Sequence, residues 1–110
     1  MRIWDISVRK LCRDHLLGEH RELHAIWSVI INKKKGYSYH PEILRWVGKL
    51  KALYLRHDKL VEEMLKRGYL HKSPLLLKFA KGASRQDTFL VSIREQSQIL
   101  KNKKCRCRVE

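Results

Sequence analysis

The chain has 110 residues, a formal charge of +14 and a pI near 10.1, enough length for one domain with a modest core. Charge of this size points to a polyanionic partner, nucleic acid ahead of acidic lipid. The absence of any apolar run of about 18 residues excludes a spanning helix. No secretory signal is expected at the N-terminus, and an odd count of three cysteines argues for a reducing, cytoplasmic compartment.

Residues 1–7 are short and mixed, and Val8 to Leu11 reads as a first turn. Asp14 reads as the cap of a long helix ending near Ile31, because Leu16, Leu23, Trp27 and Ile30 recur on one helical face. Within it, the stretch His15 to Trp27 holds three histidines, two carboxylates and an arginine. Arg21 and Glu22 flank the apolar stripe. A carboxylate on the shoulder of a buried face is half desolvated, which suits it to proton transfer. The plainer reading is a solvated helix face. Gly18 costs about 1 kcal/mol relative to Ala inside a helix, so it marks either close helix packing or room for a chain terminus. His20 and His24 form an i, i+4 pair, but His-Arg-Glu-Leu-His places its Glu second after the first His, unlike the zincin pattern, and no metal is expected there.

Asn32 to His40 is a loop in which Lys33, Lys34 and Lys35 stand beside Tyr37 and Tyr39. Such a stretch either tracks phosphates while its rings stack on bases, or is a solvated turn. His40-Pro41-Glu42 opens a second long helix, with Ile43, Val47, Leu50, Tyr54, Val61 and Met64 as its core face and Gly68 as its stop. His57 falls near that face and reads as a structural histidine. Ser73-Pro74 starts a short apolar helix through Leu75, Leu76, Leu77 and Phe79 to Gly82. Ser84 to Asp87 resembles a capping box for a last helix from Arg85 to Leu100, with Phe89, Ile93 and Leu100 inward. Residues 101–110 are expected to form a basic, mobile tail. Cys105-x-Cys107 is too closely spaced for a usual zinc knuckle and has no ligand pair after it. The expected fold is all-α: one compact domain over residues 1–100 with two long helices, a short helix and a C-terminal helix.

Three blocks in this order resemble the pyrimidine dimer DNA glycosylases of the phage endonuclease V type. They are Met1-Arg2-Ile3-Trp4, the run His15-Leu16-Leu17-Gly18-Glu19-His20-Arg21-Glu22-Leu23, and Glu62-Glu63-Met64-Leu65-Lys66-Arg67-Gly68-Tyr69. The opening block is similar to the shorter cellular members. The resemblance implies a DNA repair glycosylase with AP lyase activity on UV-damaged DNA, acting on cyclobutane pyrimidine dimers. It implies that the terminal α-amine, here of Met1, is the nucleophile and that Glu22 moves protons and stabilises the cationic sugar. It implies that Arg2 and Arg21 hold phosphates, with His15 near the same groove. Lys33, Lys34 and Lys35 add candidate DNA contacts from the loop. The expected partner is double-stranded damaged DNA, bound by a monomer with no cofactor, metal or protein partner. The family arginine one turn after Glu22 is Ala25 here, and the phage enzymes' aromatic C-terminal segment has no counterpart. The alternative from another class is a non-catalytic basic nucleic-acid-binding domain.

Overall fold

The structure, a computed structural model, describes residues 2–33, 40–71, 74–103 and 105–108. Four helices fall within them: α1 (Arg13–Ile31), α2 (Pro41–Leu44), α3 (Leu50–Lys66) and α4 (Ile93–Asn102). Short 3-10 turns stand at Val8–Lys10 and Leu77–Phe79. The fold is all-α, as the sequence predicts. Met1, Lys34, Lys35, Tyr37, Tyr39 and Ser73 lie outside the described residues.

In α1 the stripe is the core face: Leu16, Leu23, Ile26, Trp27 and Val29 are buried. The helix starts two residues earlier than expected, with Cys12 rather than Asp14 as N-cap, and Asp14 sits in its first turn, where a carboxylate suits the helix dipole. Across from it, α3 buries Ala52, Leu53, His57, Leu60 and Met64.

The second long helix of the sequence reading is two helices. α2 stops at Leu44, and the chain turns through Gly48, whose φ of +76° favours glycine. The first amides of α3 then find partners outside the helix: Lys51 N–H donates to the Lys81 carbonyl at 2.9 Å and Ala52 N–H to that of Ala83 at 3.0 Å. Ala83 N–H returns to the Gly48 carbonyl at 2.9 Å. The backbones approach so closely that a Cβ on Gly82 would collide with the Gly48 carbonyl oxygen. The break rotates the core face. Val47 is exposed, Leu50, Tyr54 and Val61 are only half-buried, and Leu53, His57 and Leu60 take the inward positions.

Two further expectations shift. The apolar helix after Pro74 reduces to the turn Leu77–Phe79, with Leu75 buried but Leu76 and Leu77 exposed. The last helix begins at Ile93 rather than Arg85, where the Ser92 hydroxyl accepts the Glu95 N–H at 3.1 Å. The residues expected to cap it are otherwise engaged. The Lys49 ammonium donates to Gln86 Oε1, Asp87 Oδ1 and Thr88 Oγ1 at 2.8, 2.8 and 2.9 Å. Phe89 and Ile93 are consequently exposed, and α4 buries Gln96 and Leu100.

Candidate active site

The segment before the first turn, short and mixed as sequence, is part of the core: Ile3, Trp4 and Ile6 are buried. Its backbone is fixed by side chains from three helices. Ile3 N–H donates to Glu42 Oε1 of α2 at 3.2 Å, Trp4 N–H to Glu19 Oε1 of α1 at 2.7 Å, and Asp5 N–H to Gln96 Oε1 of α4 at 2.8 Å. All three acceptor residues are buried. Each is itself held. Arg56 grips Glu19 with Nε at 2.7 Å and Nη2 at 3.1 Å. Arg45 donates to Glu42 at 2.9 Å, to Asp5 Oδ1 at 3.1 Å and to the Ile3 carbonyl at 2.9 Å. Burial pushes the Glu19 carboxyl up, against the pull of Arg56 and the Trp4 amide. Burial also acts to lower Arg45, but Glu42 and Asp5 outweigh it and hold the guanidinium firmly charged.

This frame holds Arg2 in the wall of a shallow pocket of about 180 Å³. Arg2, Trp4, Asp14, His15, Gly18, Glu19 and Glu22 line it. The Arg2 guanidinium stacks 4.8 Å from the Trp4 ring, and His15 meets the same ring edge-on at 5.7 Å. Glu22 is half-buried on α1. Gly18 leaves the floor open: of the atoms within 4 Å of a Cβ built there, only the flexible Arg21 Nη2 is found, at 4.0 Å. Of the two readings of Gly18, room for an approaching group fits; close helix packing does not.

The structure therefore brings Arg2, His15 and Glu22 together. Arg21 is exposed and is not among the lining residues, although it adjoins Glu22. Lys33 is exposed just beyond the end of α1, away from the lining. Met1 lies outside the described residues, one peptide bond from Arg2, and Lys34 and Lys35 are likewise outside. A carboxylate, a guanidinium and an imidazole around an open floor can bind a phosphate-flanked sugar and move a proton at it. Burial and the nearby Lys103 charge hold the His15 pKa below its ordinary value, which favours the neutral imidazole.

Sequence reasoning missed the frame. Glu19 carried a signal, because it falls on the apolar stripe between Leu16 and Leu23, where an unpaired carboxylate would not be stable. Arg56 and Gln96 carried none, since their partners are far away in sequence; Glu42 and Arg45 are an i, i+3 pair, but nothing local shows that they hold Ile3 and Asp5.

A basic, all-helical domain with such a pocket fits the DNA repair glycosylases, and the comparison with protein families agrees. The family model described as pyrimidine dimer DNA glycosylase matches residues 1–77, most of the chain. The chain belongs to the pyrimidine dimer DNA glycosylase family. Membership implies glycosylase activity in DNA repair and binding of damaged DNA. No curated protein and no solved structure matches the chain. No helix among the described residues is long and apolar enough to cross a membrane.

Proposed function

We propose that the protein excises cyclobutane pyrimidine dimers from duplex DNA and then cuts the strand as an AP lyase, with the Met1 α-amine as nucleophile and Glu22 as the proton-transfer group. The observation that carries this reading is the frame: three consecutive backbone amides, of Ile3, Trp4 and Asp5, are tied to buried acceptors, so Arg2 lines the pocket shared with Glu22.

An α-amine suits the task. Its reference pKa is about 7.7–8.0 against about 10.4 for lysine, so at pH 7 roughly 14% of it is free against roughly 0.04% of a lysine. The free amine attacks C1′ of the damaged nucleotide. The C1′–N bond breaks, and its electron pair leaves with the base, which takes up a proton. Loss of the amine proton and opening of the sugar give an imine at C1′. The imine acidifies C2′–H. A base removes that proton, and the C3′–O bond breaks with its electrons leaving on the phosphate. Glu22 stabilises the cationic sugar and shuttles these protons. Arg2 and Arg21 hold flanking phosphates, with His15 beside them. The target base is reached by distorting the duplex and flipping a nucleotide.

The test is borohydride trapping on two duplexes, one with an abasic site and one with a defined dimer. Both are expected to give a covalent complex that disappears when the Met1 amine is acetylated or preceded by a tag residue. Trapping of the abasic duplex alone removes the dimer specificity. An undiminished complex in the tagged chain moves the nucleophile to a lysine. No complex with a verified free amine leaves a binding module.

A further inference from the structure

Cys12, the N-cap of α1, and His15, one turn later, share a helix face. The chain returns to that face after α4. Cys107 Sγ accepts the Cys12 N–H at 3.0 Å, and the Arg108 N–H donates to the Lys10 carbonyl at 2.7 Å. His15 Nδ1 then lies 3.1 Å from Cys12 Sγ and 3.2 Å from Cys107 Sγ. With Cys105 the four donor atoms fall within 4.8 Å of one another, and the three cysteines are free of disulfides. A tetrahedral zinc with Zn–S bonds of about 2.3 Å and Zn–N of about 2.0 Å separates its ligand atoms by about 3.5–3.8 Å. The convergence is already at that scale. Three thiolates and one imidazole form a donor set that selects zinc over hard cations.

We propose that Cys12, His15, Cys105 and Cys107 form a structural zinc site that clasps the C-terminal segment to the start of α1. All four protein ligands leave no open position, so the ion takes no part in catalysis. It orients His15, whose ring packs on Trp4 in the pocket wall. Half of the site lies beyond residues 1–77, the part matched by the family model.

The test uses the full chain, reduced and anaerobic, with zinc content measured after purification and cobalt(II) as a spectroscopic probe. About one thiol-dependent zinc per chain is expected, with sulfur-to-cobalt charge-transfer absorption. Cys105→Ser and Cys107→Ser should each weaken binding more than about 100-fold, beyond the loss caused by outer-shell changes. Cys105→His supplies a replacement ligand and should restore binding with an altered cobalt spectrum. Absence of the sulfur band in reduced protein, or its survival in both serine variants, overturns the site. So does a native disulfide whose reduction leaves a chain that binds no zinc. None of these readouts depends on glycosylase activity.

A second cluster stands on independent observations. His20 and His24 of α1, His57 of α3 and His71 beyond it bring four ring nitrogens within 4.8 Å of one another. His24 Nε2 and His57 Nε2 are 3.1 Å apart. His20 Nε2 and His71 Nε2 are buried with no hydrogen-bond partner among the described residues. Buried polar atoms of this kind call for a ligand, and a nitrogen-only set suits zinc or copper. We infer that this cluster binds a second divalent transition ion, pinning α1 to α3. In a chain carrying Cys12→Ser, Cys105→Ser and Cys107→Ser, which has no thiol to reduce the ion, added copper(II) is expected to bind stoichiometrically with nitrogen hyperfine splitting in its paramagnetic resonance spectrum. His71→Gln and His20→Gln should each abolish that signal while leaving the sulfur–cobalt band of the native-cysteine chain. Copper spectra unchanged in both variants, or no stoichiometric binding, overturn it.

Discussion

Glu19 and Glu22 lie one turn apart on α1, and their surroundings divide them. Glu19 is fully enclosed, and its oxygens are taken by Arg56 and the Trp4 amide, so it holds the chain in place. Glu22 borders the open pocket, where the proposed function puts the reacting sugar. Glu22→Gln is nearly isosteric and removes the charge, so fold and DNA affinity should stay while turnover falls by about 100-fold or more. Single-turnover cleavage of an abasic duplex measures this, and a fully active Gln variant would return Glu22 to the solvated-face reading. Gly18 gives a second test at the same pocket. Leu has higher helix propensity than Gly by roughly 0.5–1 kcal/mol, and only the Arg21 side chain approaches a Cβ there. Gly18→Leu should therefore preserve or raise the urea midpoint while cutting turnover, because the new side chain occupies the pocket floor. Undiminished turnover would mean that the reaction takes place elsewhere.

At the level of elements, residues 2–6 act as a core strand without a sheet, fastened by an ion-pair group under α2. Arg45 is central, because its side chain is 2% exposed and serves Glu42, Asp5 and the Ile3 carbonyl together. Removing one partner of a buried ion pair typically costs about 3–5 kcal/mol. Arg45→Met should lose about that much in urea unfolding, and the refolded chain should trap abasic DNA poorly. A loss below about 1 kcal/mol would show that the segment is held by Ile3, Trp4 and Ile6 alone. The legibility of the elements follows the range of the forces that form them. α1 was legible because its stripe is local, although its N-cap is Cys12 and not Asp14. The break at Gly48 was not, because the first amides of α3 bond to the distant carbonyls of Lys81 and Ala83. The start of α4 was misplaced for a related reason: Ser84 to Asp87 offered a cap-like pattern, but Lys49, far away in sequence, claims Gln86 and Asp87. Arg2 and Glu22, singled out by motif resemblance, line one pocket. The C-x-C pair has no following ligand pair in the sequence, and only the fold brings Cys12 and His15, from the opposite end of the chain, beside it.

For the whole molecule, the excess of positive charge acts on DNA before any single contact does. The chain has 25 Lys and Arg against 11 Asp and Glu. Among the described residues, the ion pairs engage Arg45, Lys49, Arg56, Lys66 and Arg67, most of them inside the frame or along α3. Arg2 at the pocket, the exposed Arg21 of α1 and the exposed Lys33 just beyond its end are not in that set, and Lys34 and Lys35 follow in the sequence. Cations held in internal pairs release few counterions on binding, so the number of phosphates neutralised is well below the count of basic residues. If about five to eight are neutralised, the log–log slope of affinity against salt is about −4 to −7, at roughly 0.9 per phosphate on duplex DNA. Fluorescence anisotropy on an abasic-analogue duplex across a salt series should give that slope. The Glu22→Gln chain should give the same slope, since the proposed function assigns phosphate contacts and proton transfer to different residues. Lys33→Ala should flatten it by about one if that side chain meets a phosphate. An affinity that does not change with salt would remove the phosphate-tracking surface, and a slope altered by Glu22→Gln would place Glu22 in DNA binding rather than in the chemistry.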